Sequence, residues 1–257
     1  MSEPEPVRYE RRGAAALITI DRQHRRNAVD GPTAASLHAA YLRFEADDDA
    51  RVLVLTGAGG VSFCAGADLK ATDTMAGRLM SEEGPMGFTR LTPSKPTIAA
   101  ISGFCLAGGL EIALWCDLRI ATEGSTLGFP ERRWGVPLID GGTQRLPHVV
   151  GLGRALDLIL TGRMIDAHEA LSIGLLNEIV APAAHLERAL ELAEGLARFP
   201  QSTLLADRRA AIEGLGLTLA QGLALEAQAG PSVFADGQRG AARFAAGEGR
   251  GGAGAGA

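Results

Sequence analysis

Long apolar runs are missing from this sequence: no stretch approaches the roughly 18 uninterrupted apolar residues that a membrane helix requires. A helical span is therefore excluded. The N-terminus, MSEPEPVRYERR, also lacks the apolar core of a secretory signal, so a cytoplasmic location with no membrane partner is expected. Cysteine is scarce, and Cys64, Cys105 and Cys116 form neither a C-x-x-C pair nor an even set for disulfides. Reduced, mostly buried thiols are expected, with no metal or redox role. Positive charge is in deficit as well, because 25 Lys and Arg face 30 Asp and Glu for a formal net charge of -5. That excludes a broad field for nucleic acid, and any phosphate-bearing partner has to be met by local cations. No G-x-S-x-G, Walker A or H-E-x-x-H motif occurs, and the five histidines (24, 38, 148, 168, 185) have no ligand-like spacing. His38 and His185 fall in expected helices and read as solvated or core-satisfied imidazoles. Gly249-x-Gly251-x-x-Gly254 matches the dinucleotide fingerprint in form only, since no strand precedes it and no helix follows.

What the sequence does contain, 257 residues at 46% hydrophobic, suffices for one large domain with at most a small appendage. Residues 15–20, 52–56, 97–101 and 118–121 are apolar runs that read as strands, three of them rich in β-branched side chains or closed by turn formers. Between the first two, Asp30 can cap a helix with Pro32 in its first turn and Leu37, Tyr41 and Phe44 on one face. The first half thus reads as α/β. From Thr143 onward helical spacing dominates, over 154–161, 166–172, 184–199 and 202–212, with Asp166 and Glu169 as a D-x-x-E capping pair. Leu186, Leu190, Ala193 and Ala197 form one apolar stripe, as expected of core or subunit interface. The expected organisation is a core domain over 1–195, a C-terminal helical region over 196–246 and a disordered Gly/Ala tail over 247–257.

Two glycine-rich loops follow strands: Phe63-Cys64-Ala65-Gly66-Ala67-Asp68-Leu69-Lys70, and Gly103 to Asp117 with its adjacent Gly108 and Gly109. Each is readable as an ordinary strand-to-helix turn. Equally, small side chains leave backbone N–H groups bare, and a helix starting there adds unpaired donors and a partial positive charge. Two such N–H groups can hold one oxygen. Glu111 stands three residues after Gly108 beside Ile112-Ala113-Leu114-Trp115, a face that should be buried. Burial would raise its pKa and suit it to proton transfer. Glu131, in Phe129-Pro130-Glu131, is a second carboxylate after an apolar segment.

FCAGADLK, KPTIAAISGFCLAGGLEIALWCDLRIA and LGFPERRWGVPLIDGGTQRLPHVVG, in this order and spacing, resemble the crotonase (enoyl-CoA hydratase/isomerase) superfamily. The resemblance runs from about Ala15 to about Phe244, with ITIDRQHRRNAVD early and DRRAAIEG and VFADGQRGAARF late. It implies an α/β fold of repeated ββα turns in two near-perpendicular sheets, with a helical C-terminal region that aids trimerisation. It further implies an acyl-CoA substrate, no tightly bound cofactor, and a homotrimer or dimer of trimers. The family's oxyanion hole falls on the N–H groups of Ala67 and Gly108, and its two catalytic glutamates on Glu111, which would activate water, and Glu131, which would protonate Cα. Coenzyme A contacts fall on Arg25, Arg26, Ala28, Ala65, Asp68, Leu69 and Lys70. Both acids being present tilts the expectation toward hydration of a trans-2-enoyl-CoA. A Δ3,Δ2-enoyl-CoA isomerase and a non-catalytic acyl-CoA-binding protein remain open. Departures occur at Ala107 and Leu110, where glycine and cysteine are usual, and at Asp140, where the family's hydratases commonly carry a Pro-Gly-Ala-Gly loop. Asp140 is either a turn residue before Gly141-Gly142 or the nucleophile of a hydrolase or dehalogenase. Residues 71–90, with Met75, Met80, Met86 and Phe88, resemble the variable lining of the acyl pocket.

Overall fold

The computed structural model describes residues 5–248. Its chain begins with a hairpin of β1 (Val7–Arg12) and β2 (Ala15–Ile20), followed by α1 (Gly31–Ala46). From there it alternates between two sheets, with β3 (Val52–Gly57), β4 (Ser62–Cys64), β5 (Thr97–Ile101), β6 (Phe104–Leu106), α2 (Gly108–Trp115), β7 (Leu118–Thr122) and β8 (Thr126–Gly128). The helices α3 (Gly142–Val150) and α4 (Leu152–Thr161), strand β9 (Met164–Asp166), helix α5 (Ala167–Ser172) and strand β10 (Glu178–Val180) complete the sheets. Three helices close the chain: α6 (His185–Arg198), α7 (Gln201–Glu213) and α8 (Leu219–Ala245). The large sheet has the order β1-β2-β3-β5-β7-β10 and the small one β4-β6-β8-β9. Among the described residues, the β1–β2 and β8–β9 pairs are antiparallel and the other strand pairs parallel. The fold is thus α/β with two mixed sheets, each strand of the large sheet from β3 to β7 handing on to one of the small sheet.

Apolar runs without polar alternation suit a parallel sheet covered on both faces. In β2, β3 and β5 every residue is buried, and the strand period of two deals them to opposite sides. Ala16, Ile18, Ile20, Leu53 and Leu55 enter the main core with α1, whereas Ala15, Leu17, Val52, Val54 and Ile98 pack against Ala189 and Ala193 of α6. The 186–197 stripe therefore lies in the core. Asp30 caps α1 by accepting from Thr33 N–H at 2.9 Å.

Three features differ from the sequence reading. Strand β1 was not expected, because four of its six residues, Arg8, Glu10, Arg11 and Arg12, are charged, yet it pairs with β2 from Val7–Ile20 to Arg12–Ala15. Asp166 caps α5, but Glu169 gives its carboxylate to Arg163 and does not complete a reciprocal box. His185 is buried with Nδ1 unpartnered among the described residues, so it is not a satisfied core imidazole. Within the helical region expected over 196–246, α8 is one helix of 27 residues that carries Pro231 inside it and starts with a Thr218–Gln221 capping box. Neither α7 nor α8 buries a residue fully. Arg208 ties α7 to the body through Asp117, at 2.8 and 3.0 Å, and the Pro93 carbonyl. Most of the Gly/Ala tail, with its glycine fingerprint, lies outside the described residues. Among those described, no helix is long and apolar enough to cross a membrane, and no group of three or more His, Cys, Asp or Glu could hold a metal ion.

Candidate active site

The two glycine-rich loops lie against one another. A Cβ built on Gly66 would sit 2.8 Å from Ala107 Cβ and 2.9 Å from Gly108 N, so only hydrogen fits between the loops. Gly66 also takes φ +91°, which glycine adopts without strain. The adjacent glycines of α2 have separate reasons. At Gly109 an added Cβ would stand 2.1 Å from the Cys64 carbonyl oxygen, a backbone atom that cannot yield, whereas at Gly108 it would meet the tip of the Met86 side chain at 2.2 Å, which has to swing aside. Just before them Ala107, at φ 54° and ψ -129°, holds a conformation costly for a residue with a Cβ.

This packing exposes two donors. Val29 N–H donates to Gly66 O and Asp68 N–H to Val29 O, both at 2.8 Å, which turns the amide of Ala67 away from Val29. Gly108 opens α2, so its N–H has no partner within the helix. Neither amide is engaged in the turn and loop hydrogen bonds of the described residues. Both residues line one cavity of about 500 Å³.

Glu111 and Glu131 line the same cavity. Helix α2 carries Glu111 one turn below Gly108, with its Oε1 accepting from Asp140 N–H at 3.0 Å and Gly142 N–H at 2.8 Å. Gly142 permits this, since an added Cβ there would lie 3.0 Å from that oxygen. Glu111 is 2% exposed, and burial pushes its pKa up to about 8. The amide donors oppose that rise, and the Asp140 charge adds to it. Glu131, in the short turn Pro130–Trp134, is 5% exposed, and neither carboxylate oxygen has a hydrogen-bond partner among the described residues. Burial lifts it to about 7. Two carboxyl groups are thus poised to hold or release a proton near neutral pH.

Asp140 also reaches this cavity and is 1% exposed. Its Oδ1 accepts from Met86 N–H at 3.0 Å and from the Thr89 hydroxyl. Burial raises its pKa, and the Thr89 and Met86 donors counter the rise.

The turn at 22–30 packs on the loop bearing Ala67. Arg26 and Asn27 adopt left-handed backbone, and the Arg26 carbonyl accepts from Ala65 N–H at 3.1 Å. Arg25 and Lys70 are exposed, and the exposed Arg26 lies over the Phe104 ring at 5.0 Å. Ala65 and Leu69 line the cavity, whereas Ala28 and Asp68 are buried behind it. Asp68 is paired with Arg22 at 3.2 Å, and the same guanidinium meets Asp30 at 2.6 Å. Sequence reasoning missed Arg22, although its place between the Ile20 strand and Asp30 marks it as a residue of that turn. It also missed Thr89, Arg145 and Trp134. Arg145 was legible as the arginine of Gly-Gly-Thr-Gln-Arg-Leu, but nothing local points to Thr89, whose partner is 51 residues away.

A family model described as enoyl-CoA hydratase/isomerase matches residues 10–248. A probable enoyl-CoA hydratase of Rhizobium meliloti (strain 1021) is 41% identical over 248 residues, covering 94% of this chain and 95% of its own. A short-chain-enoyl-CoA hydratase of Clostridium acetobutylicum is 38% identical over 232 residues, 89% of each chain. The crystal structure of an enoyl-CoA hydratase from Mycobacterium marinum matches with a TM-score of 0.89 at 36% identity, covering 94% of this chain and 96% of that one.

Proposed function

This chain belongs to the enoyl-CoA hydratase/isomerase family, and from that premise we propose that it adds water across the 2,3 double bond of a trans-2-enoyl-CoA. The observation that carries the proposal is the convergence of two bare amides and two buried carboxyl groups, with pKa values of about 8 and about 7, on one apolar cavity. The Ala67 and Gly108 N–H groups receive the thioester oxygen. Donors aimed at an oxygen that gains charge in the transition state contribute about 10² to 10³ each in rate. Glu111 takes a proton from water as its oxygen bonds to Cβ, the π electrons pass to the thioester oxygen, and Glu131 then delivers a proton to Cα. Each proton transfer contributes about 10² to 10⁴. Water and enoyl thioester are consumed in equal number, and the two carboxyl groups end with their protons exchanged.

Isomerisation is the second reading, because Glu131, which has no hydrogen-bond partner among the described residues, could by itself shuttle a proton between carbons. Less support exists for Asp140 as a nucleophile, since its Oδ1 already serves two donors. A non-catalytic acyl-CoA-binding protein would gain nothing from two costly buried carboxyl groups. The exposed Arg25, Arg26 and Lys70 supply the local cations for coenzyme A phosphates, with Ala28, Ala65, Asp68 and Leu69 forming the surface around them. Assembly into a trimer or a dimer of trimers through α7 and α8 is supported by the exposed Leu219, Leu223, Phe234 and Phe244. A cytoplasmic enzyme without a tightly held cofactor completes the proposal. Incubation with crotonyl-CoA and longer trans-2-enoyl-CoAs should deplete the conjugated thioester, with the 3-hydroxyacyl-CoA formed in equal amount. No turnover at any chain length would overturn it.

A further inference from the structure

Asp140 ties the cavity wall to the Glu111 carboxyl group through its amide, its carbonyl and one carboxylate oxygen. The Asp140 amide donates to Glu111 Oε1, its carbonyl accepts from Arg145 at 2.9 Å, and its Oδ1 accepts from Met86 N–H and the Thr89 hydroxyl. Arg145 reinforces the arrangement by also donating to the Thr89 carbonyl at 2.5 Å. Burying a carboxylate is costly unless donors compensate, so its presence at this depth requires a role that an apolar turn residue could not fill.

The segment it holds lines the cavity through Pro85 and Met86. Met86 is 3% exposed and lines the cavity, and its Cε lies against Gly108, 2.2 Å from where a Cβ on that glycine would stand. The chain on either side of Met86 depends on left-handed glycines, Gly84 at φ +86° and Gly87 at φ +97°. Beyond it the segment is anchored away from the cavity, by Phe88 edge-on to Trp115 at 4.6 Å and by His38 Nδ1 at 2.8 Å from the Gly87 carbonyl. On the cavity side the Met86 amide is fixed through Asp140. We propose that Asp140 is a positioning residue that holds Met86 against Gly108, and that the methionine so placed sets the length of acyl chain the cavity accepts. The proposal rests on the reading of this cavity as the acyl-CoA site.

The test uses the full chain and a series of unreactive saturated ligands, butyryl-, hexanoyl-, octanoyl- and decanoyl-CoA, titrated by calorimetry. Met86→Ala and Asp140→Ala should each move the preferred length upward by about two methylenes, an approximately tenfold relative gain for the longer ligand. Asp140→Asn keeps an oxygen acceptor for Met86 N–H and should retain the wild-type preference. That rescue would not follow from a merely structural loss. Should Asp140→Ala fail to fold, Thr89→Val and Met86→Ala decide, both shifting in the same direction. Wild-type preference in folded Asp140→Ala, or in Met86→Ala, overturns the proposal. A wild-type protein that binds the series yet hydrates nothing sinks the hydratase reading alone, and the length series still decides this one. Absence of binding to any acyl-CoA sinks both.

Discussion

Glu111→Gln separates the chemistry of the site from its architecture. Glutamine retains a carbonyl oxygen for the Asp140 and Gly142 N–H donors, so the contacts at 3.0 and 2.8 Å survive, but it cannot accept water's proton. Hydration should fall by about 10² to 10⁴ in kcat with KM little changed. Stability should move the opposite way. A carboxyl group whose pKa rises from 4.5 in the unfolded chain to about 8 in the folded one costs nothing below pH 4.5, and the cost grows until the pH passes the folded value. At about 1.4 kcal/mol per tenfold, this amounts to about 3 kcal/mol at pH 7 and about 5 kcal/mol above pH 8. Replacing the acid by a neutral isostere removes that cost. Denaturant unfolding of both proteins at pH 5, 7 and 8.5 should therefore show a stabilisation of the variant that increases with pH, alongside its loss of turnover. A difference in stability that does not vary with pH would refute the burial argument, and full hydration by the variant would refute the role of Glu111.

The wild-type pH–rate profile should be bell-shaped with limbs near pH 7 and 8 that belong to the pair, because the proposed mechanism needs Glu111 ionised and Glu131 protonated. Glu131→Gln should abolish the alkaline limb in its residual activity. Ala107→Gly should raise the stability by about 1 kcal/mol, measured by melting, since it relieves a positive φ of 54° at the start of α2. Gly66→Ala should cut kcat about 10² or more, because the new methyl group would wedge between the loops that bear the two amides. Unchanged kinetics in that variant would mean the spacing of those amides does not matter. Arg25→Ala and Arg26→Ala should raise KM for crotonyl-CoA, with the difference shrinking as salt is added. A salt-independent KM would count against a phosphate contact.

Much of the site was legible because its backbone demands leave residue-level marks. Bare amides need neighbours without side chains, and Gly66, Gly108 and Gly109 are visible as letters. Glu111 announced itself by standing among Leu110, Ile112, Ala113 and Leu114, where a carboxyl group has no cheap place. The inner strands were equally plain, since a parallel sheet covered on both faces requires uninterrupted apolar runs. The continuity of α8 through Pro231 was not legible, as a proline inside a helix is normally read as its end.

By itself, then, the sequence determined the apolar strands, the small residues of the two loops, the paired acids and the family resemblance, because each is written in local residue types and spacing. Tertiary structure alone decided that the loops at 66 and 108 meet across a gap too small for a methyl group, and that Glu131 finds no partner among the described residues. It also decided that Asp140 bridges residues more than fifty positions apart in the chain. Those are matters of distance between segments remote in sequence, and burial and pKa follow from distance rather than from the order of letters.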